Sequence, residues 1–160
     1  MPWESCLTLG ADFNYAYGDH YKSPRELVNL LVNIVAKGGN LALNISPQPD
    51  GRIPVEAWES LRGLGVWMQM YGEAIYGTRI CAPYRSGNLA FTQKGDAVYV
   101  IRLYPEERAA VEEKLLIPYQ GKIRGISMVD TKKAVEWQIT EEGIRVVIPK
   151  AVSYTHLTLP

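Results

Sequence analysis

"SPRELVNLLVNIVAKGGNLALNIS", Ser23 to Ser46, decides the reading of this chain. Ser23 is a good helix N-cap, Pro24 sits at the first helical position, and Glu26 follows three residues after the cap. That is a capping box, with the proline where its missing N–H costs nothing. Leu27, Leu30, Leu31, Ile34 and Val35 then recur at helical spacing and mark one apolar face. Gly38 and Gly39 stop the helix. The next run changes period. Leu41, Leu43 and Ile45 alternate with Asn40, Ala42 and Asn44, and Pro47, Pro49, Asp50 and Gly51 end the run in a turn. Helix, tight glycine turn and short apolar strand together make an α/β unit.

Upstream, "PWESCLTL" reads as a buried strand over Glu4–Leu9, followed by a polar, aromatic loop, "GADFNYAYGDHYK". Downstream, a second helix is expected from Pro54 to Tyr71, with Ala57, Trp58, Leu61, Leu64 and Met68 on its apolar face. Strand, helix, strand, helix implies parallel pairing. Two or three such strands cannot close a barrel, and an apolar parallel strand left at an edge invites aggregation. Residues 1–79 are therefore expected to be the C-terminal end of a larger α/β domain, with Met1 an internal methionine.

From about Ala82 the helical period disappears. "NLAFTQ" and "DAVYVIRLY" flank a hairpin at Lys94-Gly95, and short runs follow at "KLLIPY", "KIRGISMV", "VEWQIT" and "IRVVIP". Regular short strands with turn signals imply an antiparallel β-sandwich over residues 80–152, with the boundary between Thr78 and Tyr84. The last stretch, "SYTHLTLP", has no turn signal before it and resembles read-through into adaptor sequence. Residues 153–160 are expected to be a non-native tail and are left out of the fold.

Composition removes several function classes. Lys plus Arg equals Asp plus Glu at 17 each, so no charge excess argues for nucleic acid or an anionic membrane. No apolar run approaches the ~18 residues of a membrane span. Cys6 and Cys81 are far apart and lack metal-site spacing; both read as core or incidental thiols, with a single disulfide as the alternative, so they leave the redox compartment open. His20 and His156 share no motif with them. No metal and no cofactor are expected.

Glu4 stands beside Trp3 at a strand end. It is either a surface charge or a proton donor, because an apolar neighbour disfavours a carboxylate and raises its pKa. Tyr15 and Tyr17 could stack on a sugar or simply pack the loop. Asn40 and Asn44 could bind a ligand or hold loops. Trp58, Trp67 and Met68 read as helix core or domain interface. Tyr99, Tyr104 and Trp137 lie in strand patterns that need core residues, which is a poor signal for a carbohydrate-binding module.

"WESC", then "LVNLLVNIVAKGGNLALNISPQPDGRIP" and "GEAIY" at Gly72–Tyr76 resemble the C-terminal part of the α-L-fucosidases of glycoside hydrolase family 29. The resemblance implies a (β/α)₈ barrel followed by a β-sandwich, both incomplete here, and retaining hydrolysis of terminal α-L-fucosyl linkages without a cofactor. It implies Glu4 as the acid/base, Trp3, Tyr15 and Tyr17 as substrate-binding, and a nucleophile upstream of these residues. It implies a fucosylated oligosaccharide or glycoconjugate as partner, a fragment inactive alone, and a secreted or periplasmic location. Three positions depart from the family pattern. Tyr15-Ala16-Tyr17 stands for Trp-Gly-Tyr, Ala36 for a serine, and Tyr71 for an asparagine.

Overall fold

A computed structural model describes residues 2–104, 114–148 and 156–159. The chain divides into two compact units, residues 1–72 and 73–160. The division falls just ahead of the Thr78–Tyr84 stretch.

The first unit runs β1 (Trp3–Thr8), α1 (Pro24–Ala36), β2 (Gly39–Asn44) and α2 (Val55–Tyr71). β1 and β2 pair in parallel, from Trp3 opposite Gly39 to Thr8 opposite Asn44. The capping box is present in full: the Ser23 side chain accepts from the Glu26 N–H, and Glu26 accepts from the Ser23 N–H at 2.7 Å. These bonds hold the Glu26 carboxyl below its ordinary pKa, the backbone bond contributing most. Leu9, Leu27 and Ala57 are fully buried, and Leu43, Ile45, Leu61 and Leu64 pack on them. That cluster ties both strands to both helices.

Three expectations need correction. On α1 the buried set is Leu27, Val28, Val32, Ile34 and Ala36, while Leu30, Leu31 and Val35 are half-buried. The apolar face of the helix is wide, and polar Glu26, Asn29 and Asn33 bound it, so its spacing also admitted the Val28–Val32–Ala36 stripe. Cys6 is exposed, because strand alternation puts it on one face with Glu4, away from Leu7 and Leu9. Trp58 is 54% exposed, and Trp67 and Tyr71 take the buried side of α2 with their rings 5.5 Å apart.

The second unit is a two-sheet sandwich. β3 (Arg79–Ser86), β4 (Leu89–Lys94), β5 (Ala97–Arg102), β7 (Ser127–Met128) and β10 (His156–Leu159) form a sheet in the order β3-β4-β5-β10-β7. β6 (Lys114–Ile117), β8 (Trp137–Thr140) and β9 (Gly143–Val147) form a second sheet in the order β6-β9-β8. All pairings are antiparallel. Phe91, Val98 and Val100 from one sheet meet Leu115, Ile117, Ile144 and Val146 from the other, and Trp137 packs against them. The β4–β5 turn is Gly95-Asp96, with Gly95 at φ +58°, the conformation a two-residue hairpin loop asks of its first residue.

β3 was not anticipated. Its sequence, "RICAPYRS", contains Pro83 and pairs with β4 through an irregular register, so alternation does not show. Residues 156–159 fall within the stretch set aside as a tail, and their backbone pairs with β5 and β7. The rest of that stretch, and residues 149–152 at the end of the expected sandwich, lie outside the described residues.

Candidate active site

The helix-to-strand turn Lys37-Gly38 leads into the amino end of β2, so Gly39 and Asn40 begin that strand. Trp3 and Glu4 stand opposite them, at the amino end of β1. The Trp3 indole lies against Gly39, where an added Cβ would meet the ring, and its Nε1 donates to the Lys37 carbonyl at 3.3 Å. Glu4 is exposed, on the strand face shared with Cys6.

Tyr15 and Tyr17 are at the other end. They belong to the loop of residues 9–23 that leaves the carboxyl end of β1. Thr8 is four residue steps along the strand from Glu4, a run of ~13 Å at ~3.3 Å per residue. The sequence grouped Trp3, Glu4, Tyr15 and Tyr17 as one site; the fold gives two pairs at opposite ends of a strand.

The carboxyl end is the more elaborately built. Lys22 Nζ donates to the carbonyls of Thr8 (2.8 Å) and Gly10 (3.1 Å), where β1 has run out of ladder partners. The Ala11 N–H donates to both Asp19 carboxylate oxygens at 3.2 Å, and the His20 N–H to one of them at 2.7 Å. A Cβ at Gly10 would meet that carboxylate and push it aside. From β2, Asn44 Nδ2 donates to the Phe13 carbonyl (3.0 Å) and to Ser46 Oγ (3.1 Å), and Ser46 Oγ donates to the same carbonyl at 2.9 Å. Asn44 therefore holds a loop, the structural alternative open for it in the sequence; Asn40 is exposed at the far end. Asp19, Lys22 and Ser46 were not singled out in the sequence. Nothing but tertiary contact marks them.

Strapped this way, the loop stands against the start of α2 and leaves a groove lined by Tyr15, Tyr17, Asp19, Tyr21, Gln48 and Glu56. Tyr17 is 97% exposed. The Tyr21 hydroxyl is pushed above its ordinary pKa, first by burial and then by Asp19, Tyr15 and Glu56. Gln48 is fixed by a turn in which its N–H donates to the Arg52 carbonyl and the Gly51 N–H donates to the Gln48 carbonyl. Among the described residues no group of three or more His, Cys, Asp or Glu side chains could hold a metal ion. No helix of the described residues is long and apolar enough to cross a membrane.

The α-L-fucosidase family model matches residues 1–73. The chain is 33% identical to an α-L-fucosidase of Branchiostoma floridae over 94% of its own length and 35% of that relative. It is 39% identical to the plasma α-L-fucosidase of Rattus norvegicus over 76% of its length and 26% of that relative. It thus spans about a third or less of these curated relatives. Its fold superposes on a Thermotoga maritima α-fucosidase with TM-score 0.85 and 31% identity, over 99% of this chain and 39% of the other. These likenesses put the chain with the glycoside hydrolases. Within them its family is that of the α-L-fucosidases.

Proposed function

We propose that the chain is the C-terminal part of a retaining exo-α-L-fucosidase. The first unit supplies two βα units of the catalytic (β/α)₈ barrel, and the second is the sandwich that follows it. The substrate is a glycan or glycoconjugate with terminal α-linked fucose. Retention needs two carboxyl groups ~5–5.5 Å apart. The upstream aspartate nucleophile that the resemblance implies matches no residue here, so the chain alone is expected to be inactive. The observation that carries the reading is the superposition over 99% of the chain on an α-fucosidase. Expressing the complete reading frame that contains residues 1–152 tests it. Release of fucose from an α-L-fucoside is expected, and no release from any such substrate would end the reading. Tyr99 and Tyr104 are buried and Trp137 packs on the sandwich core. That takes these three out as a sugar-binding row and favours a supporting domain over a carbohydrate-binding module; the exposed aromatics described in this unit are Tyr76 and Tyr84.

The proton donor has two candidate assignments. The resemblance gives it to Glu4. In (β/α)₈ enzymes, however, catalytic groups stand at the carboxyl ends of the strands. Glu4 is opposite Asn40 at the amino end. That register favours the second assignment, in which Glu4 is a residue of the barrel floor and the donor comes from the carboxyl rim. The Trp3 indole, lying on Gly39, then braces the floor instead of touching substrate. Tyr15 and Tyr17 remain substrate-binding.

A further inference from the structure

We propose that the groove lined by Tyr15, Tyr17, Asp19, Tyr21, Gln48 and Glu56 is the subsite for the sugar that carries the fucose, and that it selects neutral over anionic residues. This rests on the α-L-fucosidase reading and adds to it a substrate class.

Position comes first. The groove lies outside the carboxyl ends of two parallel strands, between the loops that leave them, which is where α/β barrels and sheets bind ligands. It is also preformed: Lys22, Asp19, Asn44 and Ser46 fix the loop through backbone groups of Thr8, Gly10, Ala11 and Phe13. These bonds hold the loop on both sides of Tyr17, so less of it has to order on binding, which spares part of that cost.

The lining then decides the ligand. Three tyrosines offer flat apolar faces with polar tips, suited to the C–H faces and hydroxyls of a pyranose. Gln48 supplies both donors and an acceptor, and Asp19 and Glu56 accept from hydroxyls. Among the described residues, no lysine or arginine lines this groove. Two carboxylates with no lining cation disfavour a sulfate, a uronate or a sialic acid by like-charge repulsion. The raised pKa of Tyr21 has the same negative surroundings among its causes, behind burial. Glu56 stands in the first turn of α2, where a carboxylate complements the helix dipole.

The test uses the full-length enzyme and three substrates: α-L-fucosyl fluoride, an α-L-fucosyl-galactose, and the same disaccharide carrying a sulfate on the galactose. Selectivity is read as ratios of kcat/KM, which a general loss of folded enzyme does not move. Tyr17→Ala should lower the neutral disaccharide relative to the fluoride by about three- to tenfold, the worth of one aromatic contact. Glu56→Lys should raise the sulfated disaccharide relative to the neutral one by about fivefold or more. If both ratios stay within twofold of wild type while the fluoride is turned over, the subsite is elsewhere and the proposal is overturned. If wild-type enzyme turns over none of the three, the α-L-fucosidase reading itself fails, a different and separately visible result.

Discussion

Glu4→Gln in the full-length enzyme separates the two assignments of the proton donor. The substitution keeps the shape and removes the titratable proton. A general acid must come within ~2.6–3.2 Å of the atom it protonates. Glu4 stands ~13 Å of strand away from the carboxyl end of β1. At that range only a through-space charge effect remains, and at an effective dielectric constant of ~20 it amounts to about tenfold at most. The expected result is therefore a loss below about tenfold on a disaccharide whose leaving group needs protonation. A nitrophenyl fucoside should show a similar loss, and added azide should do nothing. An acid/base role predicts the opposite. Loss on the disaccharide would be about 10²–10⁴-fold. The nitrophenyl substrate would suffer less in the first step, and azide would restore turnover. The intermediate from an α-fucoside is β-linked, so the rescue product would be the α-azide, with net retention. A β-azide would instead mark a lost nucleophile. Steady-state rates with product anomers read by NMR decide it. A thousandfold loss with α-azide rescue, at unchanged thermal stability, refutes the placement argument.

Other outcomes follow from the same structure. Residues 1–152 alone should hydrolyse no aryl α-fucoside; turnover above that of a denatured control counts against the incomplete barrel. Phe91→Ala, at a fully buried site between the sheets, should cost about 3–5 kcal/mol in denaturant unfolding of the second unit, and a loss below 1 would mean the core is elsewhere. Ser23→Ala should cost about 0.5–2 kcal/mol through the lost cap. Because Glu26 is held below its ordinary pKa, its contribution is fully present above the unfolded value of about 4.3. It drains away as pH falls through the lower folded value. Ser23→Ala should flatten that acid-side slope in a pH series of unfolding curves.

Much of the fold was legible because its elements carry local signals. The capping box at Ser23, the alternation of Leu41, Leu43 and Ile45, and the turn glycine at Gly95 each specify one conformation from neighbouring residues. β3 was not legible, because Pro83 and an irregular register erase its alternation. The candidate site was legible only in its aromatics. Tyr15 and Tyr17 stand out in a polar loop, but nothing local tells that Lys22 will reach Thr8 or that Ser46 will reach Phe13, 33 residues away. Trp3 and Glu4 drew attention as an indole beside a carboxylate. Which end of the strand they occupied depended on where β2 would begin, and that is fixed by pairing across α1.

The turns of the β3–β4–β5 meander bear on the order of events in time. Each joins neighbouring strands through two residues, Gly87-Asn88 and Gly95-Asp96, and both glycines have positive φ. Such hairpins close within ~1–10 μs, whereas β6 must wait for β9, whose ladder partners lie 27 to 33 residues further along the chain. The meander is thus placed to act as the seed on which the second sheet condenses. Alanine at Gly87 or Gly95 should then slow refolding more than it hastens unfolding, so that a change at the protein's surface is felt chiefly as a delay in reaching the native state.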